Sequence, residues 1–384
     1  MLILLCIYLI FIGLGLSDSL LGSAWPLMAQ EFGVNVENAG ILSFLISVGV
    51  IISSLNVWRL IRRWGTEKAA MFGLGLIAAA LFGYSVCFSW WLLCFCSVFL
   101  GFGAGIIQTV FDNFVAEHYS ARHMNWLQGS WGIGAVAAPY VVSLLGTRES
   151  GWRLSYQSIG LVEIVILILL VISLPGWKRY CGGCKEKEKA AVSGQGGGRF
   201  WKKLCMGAQF FLYCSMENTV MLWGASYLVY AKGFEPAKAA QGVSLFFLGI
   251  TAGRFLSGFI ADRLGNLRMV FLSVGIAVIM DGILLGAGSR PLVLAAFFLL
   301  GAGMAPVYPA LLHQTPGYFP DEDLNFLMGV QVASAYVGIT IIPPFLGKLF
   351  AVLSFQLLPV FQMLFLISVC FCVTYLCRGK ERKL

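Results

Sequence analysis

Long apolar runs separated by short polar breaks are the dominant pattern of this chain. A helix needs about 20 predominantly apolar residues to cross the hydrocarbon core of a bilayer, and twelve runs in the chain are that long. Backbone polar groups in hydrocarbon must be bonded internally, so each run is predicted to be a helix. The predicted spans are 3–27, 37–60, 68–88, 90–115, 122–147, 153–174, 204–230, 238–261, 267–288, 291–315, 324–349 and 355–377.

The longest polar stretch divides the twelve spans into six and six. It covers residues 175–203 and contains alternating charges (KEKEK, 185–189) and a glycine-rich segment (GQGGG, 194–198). Such a composition is typical of a flexible, solvated linker. We therefore predict an all-α integral membrane protein of twelve transmembrane helices, with an N-terminal six-helix bundle (1–174), a cytoplasmic linker and a C-terminal six-helix bundle (204–384).

The two halves are related by an internal repeat with a constant offset of 200 residues. The segment NWLQG (125–129) falls on NFLMG (325–329), and Asp18 falls on Asn218, which follows Glu217. Since six crossings separate the copies, both begin on the same side of the membrane, and the repeats are parallel. The paired glycines are Gly49 with Gly249, Gly65 with Gly265, Gly75 with Gly275, Gly101 with Gly301 and Gly103 with Gly303.

Composition excludes several classes of protein. Hydrophobic residues make up 59% of the chain and charged residues 11%, whereas a soluble domain carries about 25% charge. This balance argues against a soluble enzyme, a nucleic-acid-binding protein and a disordered chain. Most of the eleven cysteines lie in apolar runs, where thiols act as small hydrophobic groups. We expect no enzyme activity, no cofactor and no metal.

The placement of the 26 Lys and Arg residues predicts the orientation of the chain. With the N-terminus inside, the cytoplasmic loops and tail hold 19 of them, the outside loops hold six, and Arg254 alone lies within a span. By the positive-inside rule both termini are predicted to be cytoplasmic. We expect a multi-pass protein of the plasma (cell inner) membrane, monomeric, without a nucleic-acid partner.

One loop carries a family signature. Residues 258–268 read GFIADRLGNLR, which resembles the G-x-x-x-D-R-x-G-x-x-R motif of the major facilitator superfamily. The first-half copy around Gly65 keeps the glycine and the cations but lacks the aspartate. The resemblance implies that the acid caps or pairs with a neighbouring helix end in one conformation. The predicted gating residues are Asp262, Arg263, Gly265, Arg254 and Gly65.

Within that superfamily the chain most resembles the fucose permease-like group of sugar:cation symporters. In that group an acid in the first helix and one in the fourth matter for proton coupling and sugar binding. Asp18 matches the first acid, whereas Gln108 stands at the position of the second and Asp112 lies one turn further on. The stretches that carry the resemblance are GLSDSLLGSAWP (15–26), QTVFDNF (108–114), HMNWLQ (123–128) and YCSME (213–217).

Five acids lie well inside predicted helices, where an unpaired charge is costly. Asp18 and Glu217 occupy corresponding positions of the two halves, about 21 Å along their helices and so near mid-membrane. We predict that Asp18, Glu217 and Asp112 bind the coupling proton; hydrogen bonds to sugar hydroxyls or to another helix are the alternatives. Glu163 and Asp281 lie on peripheral helices and are predicted to be structural.

A sugar site needs hydrogen-bonding groups and an aromatic face. Amide, imidazole and indole side chains inside the apolar runs are candidates, although each alone is more often an interhelical contact. The predicted substrate-binding residues are Trp25, Gln108, Asn113, Gln128, Trp131, Asn218, Trp223, His313, Gln314 and Gln331.

These features predict symport of a sugar or polyol with a cation, a proton or else sodium, by alternating access of the two halves. The alternatives are proton-driven efflux of drugs or metabolites and lipid translocation. The region 132–140 lacks the Gly-Pro-x-x-Gly-Gly motif usual in antiporters of the superfamily, which counts against efflux. An inert scaffold or sensor would not need the intramembrane acids.

Overall fold

The computed structural model describes residues 2–34, 38–145, 151–181, 197–319 and 323–377. In this part of the chain all regular secondary structure is helical, with thirteen α-helices and short 3-10 turns. The α-helices are α1 (Leu2–Phe32), α2 (Ala39–Trp64), α3 (Thr66–Val86), α4 (Trp90–His118), α5 (Ala121–Leu145), α6 (Gly151–Cys181), α7 (Gly197–Tyr230), α8 (Pro236–Leu264), α9 (Asn266–Gly286), α10 (Arg290–Met304), α11 (Val307–Tyr318), α12 (Leu324–Val352) and α13 (Leu358–Cys377).

Each of the twelve predicted spans corresponds to helix in the structure, which confirms the predicted fold class. Among the described residues ten segments are long and apolar enough to cross a membrane, with 290–318 counted as one. The two helices outside that set are α5 and α7, and both carry polar side chains along their length. Many large apolar side chains are exposed on the helices, as expected for a surface that faces lipid.

The tenth span differs from its prediction as one continuous helix. It is broken between α10 and α11 at Ala305 and Pro306. Pro306 has no backbone N–H, so it cannot continue the hydrogen-bond ladder of α10. Ala305 donates the last bond of α10 to Gly301, and the carbonyl of Pro306 accepts the bond from Ala310 that begins α11.

The internal repeat is visible in the bounds of the helices. Helices α3 and α9 are both 21 residues long and begin at 66 and 266. Gly65 and Gly265 separate them from the preceding helices with φ angles of 84° and 76°. Because this left-handed region favours glycine, the two loops need glycine at the same place.

Helix continues into both ends of the predicted linker. Helix α6 ends at Cys181 and α7 begins at Gly197. The KEKEK segment (185–189) lies outside the described residues, as does much of the predicted linker, 182–196.

The chain forms two compact units. The first comprises residues 1–114, 127–192 and 321–333, and the second comprises 115–126, 193–320 and 334–384. The first unit contains most of α1–α6 and the start of α12. The second contains most of α7–α13 and the start of α5.

A polar cluster fixes one end of the first unit. The guanidinium of Arg153 donates to Glu31 at 2.6 Å and to the carbonyl of Ser85 at 2.9 Å, and the Trp152 indole also donates to Glu31. Burial opposes ionisation of Glu31, but the hydrogen bonds from Arg153 and Trp152 and the positive charge outweigh it and lower the pKa of this carboxyl. The cluster ties the ends of α1 and α3 to the start of α6.

Candidate functional site

A carboxyl group near the middle of α1 is held by an indole on α5. Trp131 Nε1 donates to Asp18 Oδ2 at 2.9 Å, and both residues are half-buried. The two helices approach closely because glycine lies on each: a Cβ on Gly15 would stand 2.9 Å from the nitrogen of Ala135, and one on Gly134 would also collide with α1. This contact fixes the position of Asp18.

A second acid of the first unit lies between α4 and α5. Asp112 is completely buried, and its Oδ1 accepts a hydrogen bond from Gln128 Nε2 at 2.9 Å. Oδ2 of Asp112 has no hydrogen-bond partner among the described residues. Asp112 and Gln128, both predicted site residues, thus contact each other. Gln108 lies one turn earlier on α4 and is half-buried.

The acid of α7 is paired with a cation on α8. Arg254 Nη2 lies 3.3 Å from Glu217 Oε1, and the side chains are 5% and 12% exposed. Arg254 is thus buried in the second unit. The neighbouring amide of Asn218 is half-buried and donates to the carbonyl of Cys214 within its own helix.

Other predicted substrate residues lie on α1, α7 and α12, and contacts within the protein are visible for Trp25 and Trp223. Trp223 Nε1 donates to the carbonyl of Pro343 at 2.7 Å, and the ring of Trp25 lies 6.1 Å from that of Trp90. Gln331 is completely buried on α12.

His313 and Gln314 lie near the end of α11. The two ring nitrogens of His313 are 2.9 Å from the carbonyl oxygen of Tyr119 and 2.8 Å from the amide nitrogen of Asn266. Gln314 accepts a hydrogen bond from Tyr318. His313 is therefore bonded to residues near the α4–α5 and α8–α9 loops, whereas Gln314 is bonded within its own helix.

The signature aspartate at the end of α8 caps the start of α5. Asp262 Oδ1 accepts from the backbone N–H of Arg122 at 3.2 Å, and Oδ2 accepts from Ser120 Oγ at 3.1 Å. Arg122 Nε lies 3.3 Å from the same carboxylate. A carboxylate in this place satisfies a free N–H of the helix and lies at the positive end of its dipole. Arg263, the next residue, is exposed.

Two further contacts reinforce this junction of α5 and α8. Ser257 Oγ donates to Asn125 Oδ1 at 2.7 Å, and Trp126 Nε1 donates to the carbonyl of Phe255 at 3.3 Å. The ring of Trp126 covers Gly258, where a Cβ would stand 2.6 Å from its Cδ1. We call the whole junction the α5–α8 latch; its members are Ser120, Arg122, Asn125, Trp126, Phe255, Ser257, Gly258 and Asp262.

The internal repeat matches the start of α5 with the start of α12, and α12 makes a corresponding junction of different chemistry in the first unit. There the start of α12 contacts α2 and α4, and we call this junction the α12 contact. Asn113 Nδ2 donates to Asn325 Oδ1 at 2.7 Å, and the rings of Trp58 and Phe326 meet edge to face at 6.3 Å. Gly329 lies directly against the backbone of α2. Asn113, a predicted substrate residue, therefore binds another helix.

Several residues of these junctions were missed as functional candidates. Arg122, Asn125, Ser257 and Asn325 have no special position in a hydropathy pattern. The signal that could have found two of them is the matched NWLQG and NFLMG segments, because a polar asparagine at the same position in both halves of a repeat indicates a specific contact.

The chain belongs to the Major Facilitator Superfamily, a family of transporters. The sequence model of that family matches twice, over residues 7–204 and 205–383. The protein is therefore a multi-pass membrane protein of a transporter family and not an enzyme, as predicted, with the plasma membrane as its expected location.

Individual relatives are distant but cover most of the chain. The glucose/mannose transporter GlcP of Bacillus subtilis is 23% identical over 356 residues, which cover 88% of this chain and 86% of GlcP. FucP, the E. coli fucose:proton symporter, was solved in an outward conformation; it is 16% identical with a TM-score of 0.74, and the match covers 97% of this chain and 98% of FucP. The human organic anion transporter MFSD10 is 14% identical with a TM-score of 0.78, over 98% and 99% of the two chains. At these identities the solved structures establish the fold.

Proposed function

We propose that this protein is a secondary active transporter that moves a sugar or polyol together with a proton by alternating access. The observation that carries the proposal is the Asp18–Trp131 pair, a half-buried carboxyl group near the middle of the first helix, held by an indole N–H at 2.9 Å. A charged group at this depth is costly unless it has a partner, a cavity or a proton.

The chemistry of the pair suits coupling of a proton to a hydroxylated substrate. As a carboxylate, Asp18 accepts the hydrogen bond of Trp131; as a carboxylic acid, it gains an O–H that can donate to a substrate hydroxyl. Trp131 supplies the apolar ring face on which the C–H side of a sugar packs. Gln108 and Asn218, both half-buried, are the amides that we assign to orienting the substrate.

Asp112 and Glu217, the other acids predicted to bind the proton, are assigned different roles. Asp112 is proposed as a second proton-binding group because one of its oxygens has no described partner. Glu217 is proposed to hold α7 and α8 together through its ion pair with Arg254.

The latch and the α12 contact are proposed as the gate. In the predicted two-bundle organisation they would join the bundles at the cytoplasmic end, with Asp262 as the charged element. Opening that end then requires breaking the three polar contacts of Asp262 with the start of α5. The resemblance to sugar:cation symporters, together with the similarity to a glucose/mannose transporter and to a fucose:proton symporter, supports the choice of a sugar.

The first test is a ligand screen by thermal unfolding of the purified protein. D-glucose, D-mannose, L-fucose, D-xylose and sorbitol are each added in large excess at two pH values, with and without sodium. A ligand stabilises by RT ln(1 + [L]/Kd), so even weak binding registers at high concentration. Stabilisation by a sugar or polyol supports the proposal. Stabilisation by organic anions or hydrophobic amines alone contradicts it.

The second test is uptake of the sugar identified in the screen into proteoliposomes under an imposed pH gradient. Accumulation that collapses with a protonophore supports proton symport, whereas accumulation that needs a sodium gradient contradicts it. The Asp18→Asn variant is expected to lose accumulation and retain exchange of labelled for unlabelled sugar. The control is Glu67→Gln, which replaces an acid in the first turn of α3, and it is expected to accumulate sugar normally.

A further inference from the structure

Glu163, on α6, is a buried acid whose two oxygens have no hydrogen-bond partner among the described residues. Its side chain is completely buried in the first unit. The carboxyl group lies against the backbone of α1, where a Cβ on Gly13 would stand 2.7 Å from Oε1 and 3.0 Å from Oε2. The absence of a side chain at Gly13 therefore makes the space that the carboxyl group occupies.

Three of the other acids inside helices have a partner, unlike Glu163. Asp18 is held by Trp131, Asp112 by Gln128 and Glu217 by Arg254. Asp281 on α9 is also buried without a described partner, but it belongs to the second unit. Among the described residues of the unit that contains Asp18, Glu163 is the buried acid for which neither carboxyl oxygen has a hydrogen-bond partner.

Glu163 and Asp18 both belong to the surroundings of α1. Asp18 lies on this helix, and Glu163 lies against it at Gly13, which is five residues or about 7.5 Å from Asp18 along the helix axis. Two carboxylates close together repel each other where water screens them only weakly. A charge on Asp18 would therefore disfavour a charge on Glu163.

We propose that Glu163 exchanges a proton during transport and that Glu163 and Asp18 together form the proton site of the first half. The inference deepens the proposed function and rests on it. Sequence reasoning assigned Glu163 a structural role because α6 is peripheral, but a structural carboxyl group would have hydrogen-bond partners. A proton neutralises such a group without any further ligand.

A proton fits this position better than a metal ion. Among the described residues no group of three or more His, Cys, Asp or Glu side chains could hold a metal, and hard cations require several oxygen ligands. Ile166 on α6 lies beside the same position, since its Cδ1 would stand 2.8 Å from a Cβ on Gly13. Helix α6 packs on α1 and α3. The charged side chains of α3 are Glu67 and Lys68 at its start, and those of α1 are Asp18 and Glu31, of which Asp18 is the nearer to Gly13 along the helix.

The first experiment needs no substrate. Infrared difference spectra of the full-length protein in lipid, recorded between acid and alkaline pH, report the C=O stretch of protonated carboxyl groups. We expect a pH-dependent band that Glu163→Gln removes and Asp281→Asn, the matched control, retains. The midpoint of the band is expected to move in Asp18→Asn. A band that Glu163→Gln leaves unchanged, or the lack of any pH-dependent contribution from Glu163, overturns the proposal.

A second variant guards against a Glu163→Gln protein that fails to fold. Gly13→Ala keeps the acid but places a methyl group 2.7 Å from Oε1, so the carboxyl group must move. We expect the midpoint of the Glu163 band to shift in this variant. An unchanged midpoint counts against the proposal.

The second experiment separates this inference from the proposed function. With the sugar identified in the screen, Glu163→Gln is expected to retain sugar exchange and lose accumulation under a pH gradient, while Asp281→Asn retains both. Normal accumulation by Glu163→Gln overturns the role of Glu163 and leaves the proposed function standing. If the unsubstituted protein does not use a proton gradient, the proposed function fails, and the infrared result alone decides whether Glu163 exchanges a proton.

Discussion

The buried ion pair between α7 and α8 gives a quantitative prediction. Replacing Arg254 by methionine keeps most of the side-chain volume and leaves Glu217 without its cation. Both side chains are at least 88% covered, with 12% and 5% exposure, so solvent can screen the remaining charge only weakly. Removal of one partner of a buried pair costs about 3–5 kcal/mol. Because Glu217 is the more exposed of the two, we expect Arg254→Met to cost about 3 kcal/mol, near the lower limit of that range.

The assay is thermal unfolding of the detergent-solubilised protein, followed by intrinsic tryptophan fluorescence. Four variants are compared: Arg254→Met, Glu217→Leu, the double variant Glu217→Leu/Arg254→Met, and Lys238→Met. Lys238 pairs with Glu235 at 3.3 Å, but the two side chains are 54% and 68% exposed. Exposed pairs contribute at most about 1 kcal/mol, so Lys238→Met controls for the loss of a positive charge.

The expected order of stability follows from desolvation. Arg254→Met should unfold at the lowest temperature, because the charge of Glu217 is left buried and unpaired. The double variant should recover much of the loss, since replacing both members of a buried pair by apolar groups is often neutral or stabilising. The reasoning is refuted if Arg254→Met loses no more stability than Lys238→Met, or if the double variant loses the sum of its two single substitutions.

Three further predictions concern other contacts. Asp262→Ala removes the cap of α5, which we expect to weaken the latch by about 1–2 kcal/mol and to accelerate hydrogen exchange in residues 118–126; unchanged exchange there would contradict the role of the carboxylate. Gly329→Ala should lower the melting temperature because its methyl group collides with the backbone of α2, whereas Gly275→Ala, with nothing within 4 Å, should not; equal effects would count against close packing at 329. The folded-state pKa of Glu31 lies below its ordinary value of 4.5, so its stabilising effect is complete above about pH 4.5 and is lost as the pH falls through the lowered value. Glu31→Gln should therefore flatten the dependence of melting temperature on pH in the acid range, and an unchanged slope would argue against the ion pair.

Much of the fold could be predicted because the bilayer restricts the possible structures. Apolar runs long enough to span hydrocarbon must be helical, and the constant offset of 200 residues locates equivalent helices in the two halves. The break at Pro306 could have been predicted by the same reasoning, because proline cannot continue a helical hydrogen-bond ladder. The prediction of one continuous helix rested on hydropathy alone, which does not consider whether each residue has a backbone N–H.

The partners of the site residues could not be predicted, because a partner depends on how neighbouring helices are rotated and shifted. Arg254 is two turns from the signature loop, so sequence reasoning assigned it to the gate, yet the structure pairs it with Glu217. Asn113 is predicted to bind substrate, and its hydrogen bond to Asn325 was not foreseen. The space beside Gly13 that accommodates the carboxyl group of Glu163 is visible only in three dimensions.

The repeat has retained the helices while its two junctions have diverged in chemistry. At the offset of 200, Asp262 corresponds to Arg62 and Gly258 to Trp58. The latch therefore combines a carboxylate with an aromatic ring over glycine, whereas the α12 contact combines an amide pair with two rings at 6.3 Å. Salt screens the partly exposed ionic component of the latch and has little effect on amides and ring contacts. Ionic strength should thus weaken one junction selectively, so the two can open by different amounts although the fold that carries them is repeated.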